Sequence, residues 1–256
     1  MSQSETLEPS EISEPSEISN LTDQSSPSDQ NILFLHVPHT GGRCVKRWVW
    51  DHNKDNDHIN FVSVHVDAEF VDINNNDITT KYIILRNPIE RCVAQFVHYS
   101  KRLDKGVKTG FLDPDTIKEE HPDFDFLNPV DYFSLEANRN LYSKYLLGQK
   151  NFHEKVDYSE VKALIESIKN GTSGIVVDEY GVPLSLPNLS RLYGEDTYQV
   201  DQELKTIHTK ASQRINRDHI DTEQKELIER KDIIVNLRAY NSIDILLCNA
   251  LKEMIN

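Results

Sequence analysis

The chain has few cysteines, no long apolar run and, over its first 30 residues, no basic residue at all. Its three cysteines, Cys44, Cys92 and Cys248, lie far apart with no CxxC pair, which argues against a zinc knuckle or a disulfide framework. Nothing approaches the roughly 20 consecutive apolar residues that a bilayer crossing needs. The N-terminus also lacks the basic-then-apolar build of a secretory leader. A cytoplasmic protein without a transmembrane anchor is the expectation. The glycine fingerprints of common nucleotide sites are missing too: neither GxxxxGK followed by Ser or Thr nor GxGxxG occurs.

Basic charge is in short supply. The formal net charge of the 256 residues is −14. Seven of the 42 acids fall in residues 1–30, so the rest carries 35 acids against 28 bases, a net of −7. An acidic body argues against general nucleic-acid binding, which depends on a basic footprint. It also favours a neutral acceptor or ligand over a long polyanion.

What is present divides in two. Residues 1–29 are rich in Ser, Glu and Pro, repeat "EPSEIS" at 8–13 and 14–19, and have little to bury, which predicts a disordered acidic tail. The whole chain is 38% hydrophobic, a globular composition, and residues 30–256 are expected to form one domain. "NILFLHV" from Asn31 is a continuous apolar run, as in a parallel strand buried on both faces. Val45, Trp48 and Val49 then recur at helical spacing. "NFVSVHV" (60–66) alternates as a strand and "KYIILR" (81–86) is a third buried strand. Asn87 and Pro88 suit an N-cap and first helical position, ahead of Ile89, Cys92, Val93 and Phe96 on one face.

Further on, 104–135 reads as loop, rich in Asp and Pro. "EANRNLYSKYLLG" reads as helix, Asp157 and Glu160 as a capping box, and "GIVVDEY" as a buried strand. From about Thr222 the chain is expected to be helical, with Ile243, Leu246, Leu247, Ala250, Leu251 and Met254 as a core stripe. Strand, helix, strand, strand, helix in this order predicts an α/β fold with a parallel sheet and right-handed crossovers.

The segment "FLHVPHTGGRC" (34–44) carries the chemistry. A glycine turn between a buried strand and a helix exposes backbone N–H groups at the positive end of the helix dipole, a cradle for phosphate or sulfate. "LRNPIERCVAQFVHY" (85–99) adds Arg86 at the end of a strand, where an arginine can clamp a phosphate with two parallel hydrogen bonds.

Together these segments resemble the cofactor signature of sulfotransferases that use 3′-phosphoadenosine 5′-phosphosulfate (PAPS), in particular the carbohydrate group that includes heparan sulfate 2-O-sulfotransferase. "NRNLYSKYLLG" (138–148) and "NSIDILLCNAL" (241–251) resemble two further helices of that family, so the likeness spans about 31–255. It implies a P-loop-like parallel sheet flanked by helices in a single sulfotransferase-type domain. It also implies PAPS as sulfuryl donor, the nucleotide PAP as product, and a hydroxyl of a carbohydrate or glycoconjugate as acceptor, with no metal. By position, His39, Thr40, Gly41, Gly42, Arg43 and Cys44 would wrap the 5′-phosphosulfate, with His39 standing where the family carries lysine. Arg86 and Ala94 fall at the 3′-phosphate site, Ala94 in place of a serine, and Lys210 falls in a late loop that approaches the nucleotide.

Sulfuryl transfer needs a base for the acceptor hydroxyl and positive groups for the leaving phosphate. His65, just after the second strand, resembles the family's base, and His39 would serve the departing phosphate as a protonated imidazole. Asp67 and Glu69 are lesser candidates for the base, Arg91 is equally a ligand or a structural ion pair, and His36 fits a packed core histidine. Because His39, Arg43 and Ala94 depart from the family pattern, a catalytically weakened relative that binds nucleotide or glycan is the alternative. A kinase on a diverged phosphate loop comes third.

Overall fold

In a computed structural model of the chain, the structure describes residues 30–53, 59–64, 80–149, 151–181, 184–213 and 217–253. The tail expected at 1–29 lies outside the described residues. Four strands, β1 (Gln30–Leu35), β2 (Ile59–Val64), β3 (Thr80–Leu85) and β4 (Ile175–Glu179), form one sheet in the order β2-β1-β3-β4. Every pairing is parallel, with Leu35 opposite Val64 and Ile83, and Leu85 opposite Glu179.

Eleven α-helices are found among the described residues: α1 (Gly42–His52), α2 (Pro88–Leu103), α3 (Pro114–Glu120), α4 (Pro129–Ser134), α5 (Leu141–Leu147), α6 (Tyr158–Lys169), α7 (Pro187–Tyr193), α8 (Thr197–Gln213), α9 (Arg217–Glu229), α10 (Lys231–Tyr240) and α11 (Ser242–Lys252). They cover the sheet on both faces, giving a single α/β domain of three layers. Strand alternation divides the core. Leu33, Leu35, Ile83 and Leu85 face Val93, Phe96, Tyr142 and Leu251 of the α2, α5 and α11 layer. Ile32, Phe34, Tyr82 and Ile84 face Val45, Trp48, Leu189 and Leu204 of the α1, α7 and α8 layer. Strands buried on both faces explain why β1 and β3 are apolar without a break.

The stretch 104–135, expected as loop, contains α3 and α4. Its Asp and Pro residues are helix starts: Asp113 accepts from the N–H of Asp115 at 3.1 Å and Asn128 from Val130 at 2.9 Å, each followed by proline at the first helical position. Lys210, expected in a loop, lies exposed in the last turn of α8. Leu246, expected in the core stripe, is 43% exposed, whereas Leu247, Ala250 and Leu251 are buried. The Asn87 cap stands as expected, accepting from Ile89 at 2.9 Å and Glu90 at 3.4 Å.

Buried polar groups tie the α2, α5 and α11 layer together and to the sheet. Asp244 of α11 caps the start of α5, accepting from the N–H groups of Tyr142 (2.9 Å) and Ser143 (2.8 Å) and from the Ser143 hydroxyl (2.7 Å). Tyr142 then reaches the sheet: its hydroxyl accepts from the Arg86 N–H at 2.8 Å and donates to the Arg86 carbonyl at 3.0 Å. Arg86 is thereby fixed where β3 ends.

Candidate functional site

In the order β2-β1-β3-β4 the chain leaves β1 towards one neighbour and later returns on the other side. The carboxyl ends of β1 and β3 therefore border the crevice where ligands of open parallel sheets bind. The loop 36–41 follows β1 there and Arg86 follows β3. They touch: the Arg86 Nη1 donates to the His39 carbonyl at 3.3 Å.

Sequence dictates the loop's shape. Val37 turns back on β1, its N–H donating to the Leu35 carbonyl at 3.0 Å. Thr40 is buried and its hydroxyl donates to the Val37 carbonyl at 2.8 Å. His39 and Gly41 both take the left-handed conformation, with φ of 68° and 83°. Gly41 suits that conformation, whereas His39 adopts it at a steric cost of roughly 1–2 kcal/mol. Gly42 opens α1 directly over the buried His36 ring: a Cβ there would lie 2.0 Å from His36 Cδ2. His36 is itself stacked on Phe34, with ring centroids 5.5 Å apart. It is a packing residue beneath the loop, as expected.

Helix α1 has no side-chain cap. Cys44, buried, spends its N–H on the Gly41 carbonyl at 2.9 Å, while the N–H groups of Gly41, Gly42 and Arg43 find no acceptor among the described residues. Three free backbone donors at a helix start are an anion cradle in chemical terms. The Thr40 hydroxyl, expected among the ligands, has its proton committed to the turn.

The side chains around the cradle are basic. The His39 Nε2 is buried with no hydrogen-bond partner. Burial first, and then the neighbouring His98, Arg91, Arg86 and Arg43, push the His39 pKa well below the ordinary 6.5. Its ring lies edge-on to His98 and Tyr99 of α2, at centroid distances of 5.4 and 5.2 Å. Burial, with Arg43 and Arg102 nearby, also lowers the His98 pKa. Arg86 stacks over the Tyr180 ring, 4.9 Å from its centroid, and its Nε lies 3.6 Å from the Glu90 carboxylate. Tyr180 also walls Gly41, whose Cβ would stand 3.2 Å from the Tyr180 ring.

The structure thus brings His39, Thr40, Gly41, Gly42, Arg43, Cys44 and Arg86 together. Ala94 is buried on α2 and carries no donor. Among the described residues, no hydrogen bond, ion pair or ring contact joins Lys210, exposed in the last turn of α8, to the loop or to Arg86. Arg91 is wholly buried and turned inward, with its Nη1 on Gln95 at 2.6 Å and its Nη2 3.4 Å from the Asn138 carbonyl. These bonds go to neutral groups, so the ion pair offered as its structural role is not formed among the described residues. His65, Asp67 and Glu69 lie outside the described residues. The residue before His65, Val64, pairs with Leu35 at the same end of the sheet as the loop.

Without an anion, burial and the neighbouring basic side chains favour the neutral His39 ring, whereas the expectation of a protonated imidazole concerned the anion-bound loop. Sequence reasoning missed His98, Tyr99 and Tyr180. The first two sit one turn beyond Ala94, inside the segment already singled out, while Tyr180 becomes a neighbour only through the β3–β4 pairing.

Among the described residues, no group of three or more His, Cys, Asp or Glu side chains is placed to hold a metal ion, and no helix is long and apolar enough to cross a membrane. Compared with known proteins, the chain matches no family model, no curated protein and no solved structure.

Proposed function

We propose that the crevice binds a 3′-phosphorylated adenine nucleotide and that the chain is a PAPS-dependent O-sulfotransferase acting on a carbohydrate or glycoconjugate hydroxyl. One observation carries this. In a chain of net charge −14, the loop after β1 gathers three free backbone donors and the side chains of Arg43, Arg86, His39 and His98. Glu90 is the carboxylate paired with that group. The donors suit a tetrahedral anion: they are three successive N–H groups at a helix start, without acceptors among the described residues.

PAPS, when bound, supplies an activated sulfuryl group. The chain's own residues hold and charge-balance it. The N–H groups of Gly41, Gly42 and Arg43, with the Arg43 guanidinium, would hold the 5′ end, and Arg86 the other phosphate. His39 stands where charge builds on the departing phosphate. The new bond forms between the acceptor oxygen and sulfur as the sulfur–oxygen bond to phosphate breaks, and the acceptor's proton needs a base. His65, which follows the strand paired to β1, is proposed for that role. A positioned base contributes roughly 10²–10⁴ in rate.

The test is transfer from PAPS to a panel of glycan and glycolipid hydroxyls, with His65→Ala beside the unaltered chain. Transfer that falls by roughly that factor while nucleotide binding persists supports the assignment. Equal rates in the two proteins would remove His65 as base. A second reading, a nucleotide- or glycan-binding relative without catalysis, is favoured by two observations: His39 is held neutral and Ala94 offers no hydroxyl. His39→Lys separates the two, since a gain in transfer marks an enzyme and silence in both forms marks a binder.

A further inference from the structure

The His39 side chain has three unusual properties at once. It is one of two non-glycine residues with positive φ among those described. Its Nε2 is buried without a partner. The ring is hemmed by basic side chains on several sides: the cations Arg43 of α1, Arg86 at the end of β3 and Arg91 of α2, and the His98 imidazole of α2, with Tyr99 of α2 against its edge. The carboxylate of Glu90 on α2 is directed at Arg86, 3.6 Å from its Nε. Among the described residues no carboxylate is paired with this imidazole, and its strained backbone lies two residues before Gly41, the first of the three N–H groups without an acceptor among the described residues.

We propose that this site takes up its anion together with one proton, which settles on the His39 ring. The inference rests on reading the loop as an anion site, and not on which nucleotide fills it. The physics is a charge balance. In the free protein the buried ring and its cationic neighbours both oppose a further positive charge. A dianion on the adjacent N–H groups supplies the missing counter-charge, and an opposite charge within a few ångströms favours the protonated form by roughly 1–3 pH units. Binding and protonation then assist each other by the same factor. The proton comes from solvent and returns to it when the anion leaves. A lysine here would be charged in both states, so the coupling belongs to histidine. It makes the site a better holder of dianions at mildly acidic pH and a faster releaser above it, which sets specificity by ligand charge.

The test uses the full chain and inorganic sulfate, which carries no titrating proton near neutrality. The His39 Cε1–H resonance is assigned by its loss in His39→Gln and followed against pH, with and without saturating sulfate. The expected result is a midpoint well below that of an exposed histidine without sulfate and a clear rise with it. Sulfate affinity should strengthen by up to about tenfold per pH unit as pH falls between the two midpoints. His39→Lys should retain binding and lose most of that dependence. If sulfate shifts the amides of Gly41, Gly42 and Arg43 while the His39 midpoint stays fixed, or if His98 takes the proton instead, the coupling is overturned and the anion site stands. If those amides do not respond to sulfate at any pH, the anion site itself fails and the coupling falls with it.

Discussion

Gly42→Ala is the substitution whose outcome the loop geometry fixes most tightly. An alanine Cβ would lie 2.0, 2.3 and 2.8 Å from three atoms of the His36 ring. Ordinary contact begins near 3.4 Å, so ring and helix start must separate by roughly 1.4 Å. The ring cannot retreat, since His36 is 6% exposed and stacked on Phe34, itself fully buried. Overpacking of this kind costs about 1–3 kcal/mol, and the size of the shift points to the upper end. Replacing glycine in a helix returns at most about 1 kcal/mol. The net loss, about 2 kcal/mol, should lower Tm by about 4–8 °C in a domain of this size. The decisive assay is a double-mutant cycle with His36→Ala, read by urea and thermal unfolding. Without the imidazole the clash atoms are gone, so Gly42→Ala should then be neutral or slightly stabilising, with a coupling energy of about 2–3 kcal/mol. An equal loss in both backgrounds would refute the packing argument.

Other outcomes follow from the same contacts. Asp244→Ala leaves the buried N–H groups of Tyr142 and Ser143 without an acceptor and should cost about 3–5 kcal/mol by urea unfolding. Because Tyr142 holds both backbone groups of Arg86, that variant should also weaken anion binding. Asn87→Ala removes the α2 cap and should cost about 1 kcal/mol, or about 2–4 °C in Tm. The lowered pKa of His39 makes its contribution to stability present above pH 6.5 and lost as pH falls through its folded value, so His39→Gln should flatten the acid limb of a stability–pH curve.

The strands that build the site were legible because both faces of β1 and β3 are covered, which leaves an apolar signature without polar interruptions. The Asn87-Pro88 helix start was legible for a local reason, a cap followed by a residue with fixed φ. The same chemistry at Asp113-Pro114 and Asn128-Pro129 passed for loop because the helices behind it are only 7 and 6 residues long. Helices α7 and α8 went unread. Their buried residues, Leu189, Val200 and Leu204, are sparse among polar ones and gain meaning only against the α1 face of the sheet. At the site, the loop and Arg86 were visible as segments, but their contact was not. It depends on strand order, as does the placing of Tyr180 beside Gly41. The charge state of His39 was also invisible, since it is set first by burial and then by His98, Arg91, Arg86 and Arg43, which come from separate parts of the chain.

The most direct measurement of the central claim is calorimetric titration of the purified chain with 3′-phosphoadenosine 5′-phosphate, beside 5′-AMP and ATP, repeated in Arg86→Ala. Arg86 offers charge-assisted donors, each worth about 1.5–3 kcal/mol, so its loss should weaken binding by about 10–150-fold. Micromolar binding that needs the 3′-phosphate and falls by that factor is the predicted result. Equal affinity for all three nucleotides, or none for any of them, would contradict the proposed nucleotide site and the transferase built on it.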